Sequence, residues 1–206
     1  MENKGLIRFV GLFFLILGFL AFTNSLLTTK TISILWFCYL GIFLIGVGML
    51  LKNPILIISQ LNILAISQLI WIADFFHFVI TGASFLGIVD YFFNPNFPIL
   101  SRLISTQHIF TIPLSLLVLY KMRPQTNKIK YAWIISLIQL ILVFVITRLL
   151  SNPTININCV YHSCGNLYSG PTALYPFVWF AVSFILAFLT NFIIYNLIGI
   201  KDGKRR

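Results

Sequence analysis

The chain has 206 residues, of which 59% are apolar and only 9% charged, and its mean hydropathy is +0.98. That composition excludes a water-soluble domain of this length, because too few polar side chains remain to face solvent. The formal charge of +10 does not indicate nucleic acid either, since the lysines and arginines sit at the ends of apolar segments and lack the aromatic-interleaved clustering of a DNA or RNA surface.

Apolar runs broken by proline, glycine, asparagine and charge predict spans near residues 6–27, 32–51, 54–80, 103–121, 131–149 and 172–199. Lys4 and Arg8, ahead of the apolar run from Phe9 to Phe22, imitate a secretory signal. No small-x-small cleavage site follows at Thr23 to Lys30, so an uncleaved first span is expected. Backbone groups in hydrocarbon must pair within their own segment, and the runs are too long and unalternating for barrel strands, so every span is predicted as a helix. The expected fold is all-α: a polytopic transmembrane helix bundle of six spans in a single domain over residues 1–206, embedded in a lipid bilayer.

Orientation follows from the cations. With a cytoplasmic N-terminus, eleven of the fourteen lysines and arginines lie inside, all but Lys30, Arg102 and Arg148. The expectation is a cell-membrane protein with both termini cytoplasmic. An odd number of spans would separate the basic stretch at 121–130 from the basic tail at 201–206. The long outer loops then run from Thr81 to Arg102 and from Leu150 to Pro171. The first, with Gly82, Gly87, Asn94, Pro95 and Pro98 around Tyr91, Phe92 and Phe93, reads as a structured re-entrant or interfacial loop. The second is polar but nearly uncharged. Its Cys159 and Cys164 are close enough for a loop disulfide, for which a structural staple is the expected use.

Apart from Glu2 and Asp202 in the tails, every acid and histidine falls on the outer side: Asp74, His77, Asp90, His108 and His162. Asp74, twenty residues past Pro54, lies about 30 Å along the third span, and His108, six residues past Arg102, lies about 9 Å inside the fourth. At 100° per residue Gln60, Ser67, Trp71 and Asp74 share a narrow arc with His77 on its shoulder, while Ser101, Ser105 and His108 share a face above Pro113, a candidate kink. Facing each other, these stripes would form a polar site open to the outside, with Asp74, His108, Asp90 and Arg102 as catalytic candidates and Arg148 and His162 closing over it.

Carboxylates and neutral imidazoles ligate divalent ions, so Asp74, His77, His108 and His162 are candidate ligands of a metal such as zinc, whose open position would activate water. An Asp–His pair could instead serve as general base for Ser105 or Ser84. Structural readings stand beside these. Asp74 could neutralise Arg102 or Arg148, His108 could bond between helices, and His77 could be interfacial. His162 could be an ordinary loop histidine, and Asp90 a turn or cap residue. Asn24, Gln60, Asn62, Gln68, Gln139 and Asn191 fit interhelical hydrogen bonding.

The string Trp71, Asp74, Gly82, Gly87, Asp90, Tyr91, Phe93, Arg102, Ser105, His108 and Pro113, followed by Asn156 and Asn158, resembles an uncharacterised family of small bacterial multi-pass membrane proteins over roughly residues 70–160. Where that family carries Asn-Ile-Asn-Trp, this chain has Asn156, Ile157, Asn158 and Cys159. The resemblance implies a membrane fold and no reaction. A looser likeness to the seven-helix metal-dependent lipid amidases stops short of their motifs and seventh span. Three functions stay open on the sequence: a metal-dependent hydrolase or transferase acting on a lipid or lipid-linked substrate, a non-catalytic assembly or partner-binding subunit, and, ranked last, a small transporter.

Overall fold

Long apolar runs without charge leave the backbone no partner but itself, and the chain answers with helices. A computed structural model describes residues 4–28, 31–125, 129–165 and 168–203. In order these form α1 (Lys4–Thr28), α2 (Phe37–Leu50), α3 (Pro54–Thr81), α4 (Asp90–Phe93), α5 (Ile99–Ser105), α6 (Gln107–Met122), α7 (Ile129–Leu150) and α8 (Tyr175–Gly203), with no strand among the described residues. Lys30, Lys128 and the basic tail from 204 onward, which entered the charge count, lie outside them.

The all-α expectation holds. Among the described residues five stretches are long and apolar enough to cross a membrane: α1, α3, α5 with α6, α7, and Thr172–Leu197. Their outward faces carry large exposed apolar side chains, among them Phe9 at 70%, Leu149 at 76% and Phe177 at 74% exposure, a surface compatible with lipid.

The second predicted span is shorter than its apolar run. Helix α2 has 14 residues, about 21 Å at helical rise, and a single 3-10 turn, Thr31–Leu35, precedes it. The reason is tertiary. Asn158, from the polar loop 121 residues away, accepts a hydrogen bond from Phe37 N at 2.8 Å and donates its amide to the Leu35 carbonyl at 2.7 Å. It thus supplies from outside the cap that Trp36 cannot make, and the helix starts there. Trp179 Nε1 and the Tyr175 hydroxyl of α8 donate to the carbonyls of Asn158 and Cys159, so the same loop joins α2 to α8.

Close approach of α1 and α2 needs small residues. A β-carbon on Gly46 would lie 2.8 Å from Leu15 N, and one on Gly18 would lie 2.9 Å from Phe43 Cβ. In the first third of α3 a polar layer ties it to α7 and α8: Gln60 and Gln139 exchange two amide bonds, and Asn62 donates to Ser136 and Asn191. Removing the Asn158 amide should leave both the Phe37 N–H and the Leu35 carbonyl unpaired. Asn158→Ala is therefore expected to lower stability by about 2–4 kcal/mol in a thermal or denaturant unfolding assay of the detergent-solubilised protein.

Candidate functional site

Asp74 is fully buried near the end of α3, and the chain beyond that helix folds back over its carboxylate. Gly82, with φ of 78°, ends α3 in the left-handed conformation that glycine adopts without strain. The loop then brings four backbone amides to one carboxylate. Phe85 N and Leu86 N donate to Oδ1 at 3.0 Å, and Ile88 N and Val89 N donate to Oδ2 at 2.9 and 3.1 Å. The Ser84 hydroxyl straddles both oxygens at 2.8 and 2.7 Å and accepts from Gly87 N. His77, one turn on from Asp74, donates from Nδ1 to the Ala83 carbonyl at 2.8 Å, and Thr81 donates to the His77 carbonyl. Neither Arg102 nor Arg148 reaches the acid. Arg102 donates to the Asn94 and Phe97 carbonyls, and Arg148 donates twice to the Val160 carbonyl between the rings of Phe144 and Tyr161.

The loop so held lays its aromatic run on α3. Phe93 stacks on Phe78 with centroids 3.8 Å apart, Phe92 meets Trp71 and Phe75 edge-on, and the Tyr91 hydroxyl accepts from Trp71 Nε1 at 3.0 Å. Although Tyr91 is 37% exposed, its hydroxyl end lies inside beside Ser105. Burial pushes it above the ordinary phenol range, so it stays protonated and able to donate.

His108 also packs on Trp71. The two rings stack at 4.7 Å with 19° between their planes. Its Nδ1 lies 2.6 Å from the Ser105 carbonyl. A carbonyl only accepts, so Nδ1 carries the proton and Nε2 of the neutral ring presents a lone pair. That nitrogen has no hydrogen-bond partner among the described residues. The helix is interrupted beside it at Thr106, between α5 and α6, while Pro113 lies inside α6. Ser101 and Ser105 are buried as their spacing predicts, Ser101 accepting from Asn24 of α1 at 2.9 Å.

The remaining candidates lie elsewhere. Asp90 is exposed in the first turn of α4. His162 accepts from the Asn156 amide at Nδ1 and donates from Nε2 to the Pro153 carbonyl, inside a loop closed by a Cys159–Cys164 disulfide. The proposed zinc set is therefore not assembled. Asp74 is filled by loop amides, His77 and His162 are engaged with their own loops, and His108 stacks on Trp71. Among the described residues no three His, Cys, Asp or Glu side chains come close enough to hold a metal ion. Among the described residues neither serine is served by an Asp–His pair: Ser84 donates to Asp74 itself, and Ser105 donates to the Ser101 carbonyl.

Two buried glutamines are left without partners, Gln68 contrary to the interhelical bonding expected of it. Gln107 is fully buried with both amide atoms unpartnered, the Cys38 thiol of α2 being its polar neighbour, and Gln68, one turn below Trp71 on α3, is 2% exposed and equally unpartnered. Gln68 was legible as intramembrane polar; Gln107 had only the polar run Ser105, Thr106, Gln107, His108 as its signal. Buried amides without partners are costly and mark places where a polar guest would be stabilised.

Comparison of the chain with protein families, curated proteins and solved structures finds no match. Asp74→Asn turns one acceptor into a donor aimed at amide hydrogens. It should cost about 3–5 kcal/mol and accelerate hydrogen exchange at amides 85, 86, 88 and 89, whereas Asp90→Asn leaves both unchanged.

Proposed function

We propose that the chain crosses the membrane six times, α2 and its preceding 3-10 turn making the sixth crossing, with both termini cytoplasmic and the Asp74 end facing outward. The cation distribution along the sequence supports this reading. In a Cys38→Ala background, a cysteine introduced at Asn96 is expected to react with an impermeant maleimide added to intact cells and one at Gln125 is not; the reverse pattern would invert the topology.

On this reading the His108 region lies within the outer leaflet and opens at headgroup depth, and the function it supports best is hydrolysis or group transfer on a lipid or lipid-linked substrate. The observation that carries it is the Nε2 lone pair, oriented by the bond at Nδ1 and left without a partner among the described residues. His108 would take the proton from an attacking hydroxyl as the new bond forms and return it to the leaving oxygen. Trp71 holds the ring flat, and the Tyr91 and glutamine groups supply polar contacts to the substrate. Asp74 acts on this site only by shaping the loop that carries Tyr91.

A second reading has its own support: Asp74, His77, Arg102, Arg148 and His162 all serve loop backbone, as expected of an assembly or partner-binding subunit. Wild-type protein in vesicles of mixed phospholipids and lipid-linked sugars, followed by mass spectrometry, discriminates the two. The enzymatic reading expects a converted lipid, with His108→Ala slower by about 100-fold or more while its unfolding midpoint is retained. No conversion, or equal conversion by the variant, would favour the assembly subunit.

A further inference from the structure

At the end of the bundle opposite Asp74 the turn between α2 and α3 meets the turn that follows α6. Between them lies a cleft of about 370 Å³ lined by Lys52, Asn53, Ile55, Met122, Arg123 and Gln125, at the low end of the range of about 300–1,000 Å³ usual for small-ligand sites. Its polar lining is cationic and neutral. The described stretches around it, 49–58, 119–125 and 129–131, contain no aspartate or glutamate, although they hold four of the chain's lysines and arginines.

Four features of positive sign converge there. Lys52 and Arg123 bring full positive charges, and both stand in the left-handed conformation with φ of 52°, so each sits at the reversal of its turn and not within a helix. The 28-residue helix α3 begins in the cleft wall at Pro54, and the 22-residue α7 begins there at Ile129, so the positive ends of two long helix dipoles abut the same space. Asn53 answers part of α3's demand by accepting from Ile55 N and Leu56 N. The floor, Ile55, Ile58 and Met122, is apolar, and neighbouring Leu51 is 70% exposed. Cations at the rim, apolar side chains below and an exposed leucine beside them match a phosphate joined to hydrocarbon.

We infer that this cleft binds a phosphate-bearing anion between Lys52 and Arg123, as a phospholipid headgroup or as a free phosphate. The inference is independent of the chemistry assigned to His108 and of which side of the membrane the cleft faces.

Native mass spectrometry of the detergent-solubilised full chain with added phosphatidylglycerol or phosphatidylcholine tests it, with an unfolding assay in millimolar inorganic phosphate as a second arm. The Lys52→Gln/Arg123→Gln double variant is compared with Lys4→Gln/Arg8→Gln, which removes the same charge at the start of α1. Wild type and the α1 variant should bind phosphatidylglycerol in preference to phosphatidylcholine, or be stabilised by phosphate, and the cleft variant should lose about tenfold or more of that affinity. Binding of phosphatidylglycerol without a phosphate effect assigns the headgroup; stabilisation by phosphate without lipid preference assigns the free anion. If neither probe binds, or both double variants lose binding equally, the inference is overturned. Should the double variant fail to fold, Lys52→Gln alone carries the same comparison.

Discussion

One carboxylate organises this molecule's chemistry. The segment from Ser84 to Val89 is not helical, so its amide hydrogens have no acceptor of their own, and a non-helical segment folded against a bundle of apolar helices cannot leave them bare. Asp74 receives four of them and the Ser84 hydroxyl. A carboxylate with two oxygens and about four lone-pair sites is the side chain suited to so many donors, and their combined field compensates the burial of its charge. The loop's path fixes where Tyr91, Phe92 and Phe93 land, and they in turn pack around Trp71, on whose face His108 lies.

The same economy recurs in the second long loop. Arg148 and Asn156 bind backbone of residues 160–162, Asn158 caps a helix far away in sequence, and Tyr175 and Trp179 hold the carbonyls beside them. The two loops touch: a β-carbon on Gly165, which has φ of 69°, would overlap the Leu86 carbonyl. Polar side chains at this end mostly satisfy irregular backbone, and His108, Gln68 and Gln107 are among the groups left with hydrogen-bonding capacity, as are Thr147 and Ser151.

This division explains which site residues were legible. Asp74 and His108 were marked by the rarity of ionisable groups, and Ser101 and Ser105 by helical spacing; all four proved to lie in or at the edge of the interior. The grouping of Asp74, His77, His108 and His162 around a metal did not survive, because shared position at one end of a bundle is not shared direction. His77 turned to the Ala83 carbonyl and His162 to its own loop. The pairing of Asp74 with Arg102 or Arg148 failed likewise, because sequence shows charges but not the unpaired amides that compete for them.

By itself the sequence determined that the chain is a bundle of apolar helices, where most of them begin and end, and which scarce polar residues would matter, since these follow from hydropathy and helical period. Only the tertiary structure decided that α2 starts at Phe37, that the helix carrying His108 breaks at Thr106, and that Asp74 is spent on backbone while His108 keeps a free nitrogen. Those outcomes depend on which hydrogen-bond partner reaches a group first. That competition runs between segments as far as 129 residues apart, beyond the range of any local pattern.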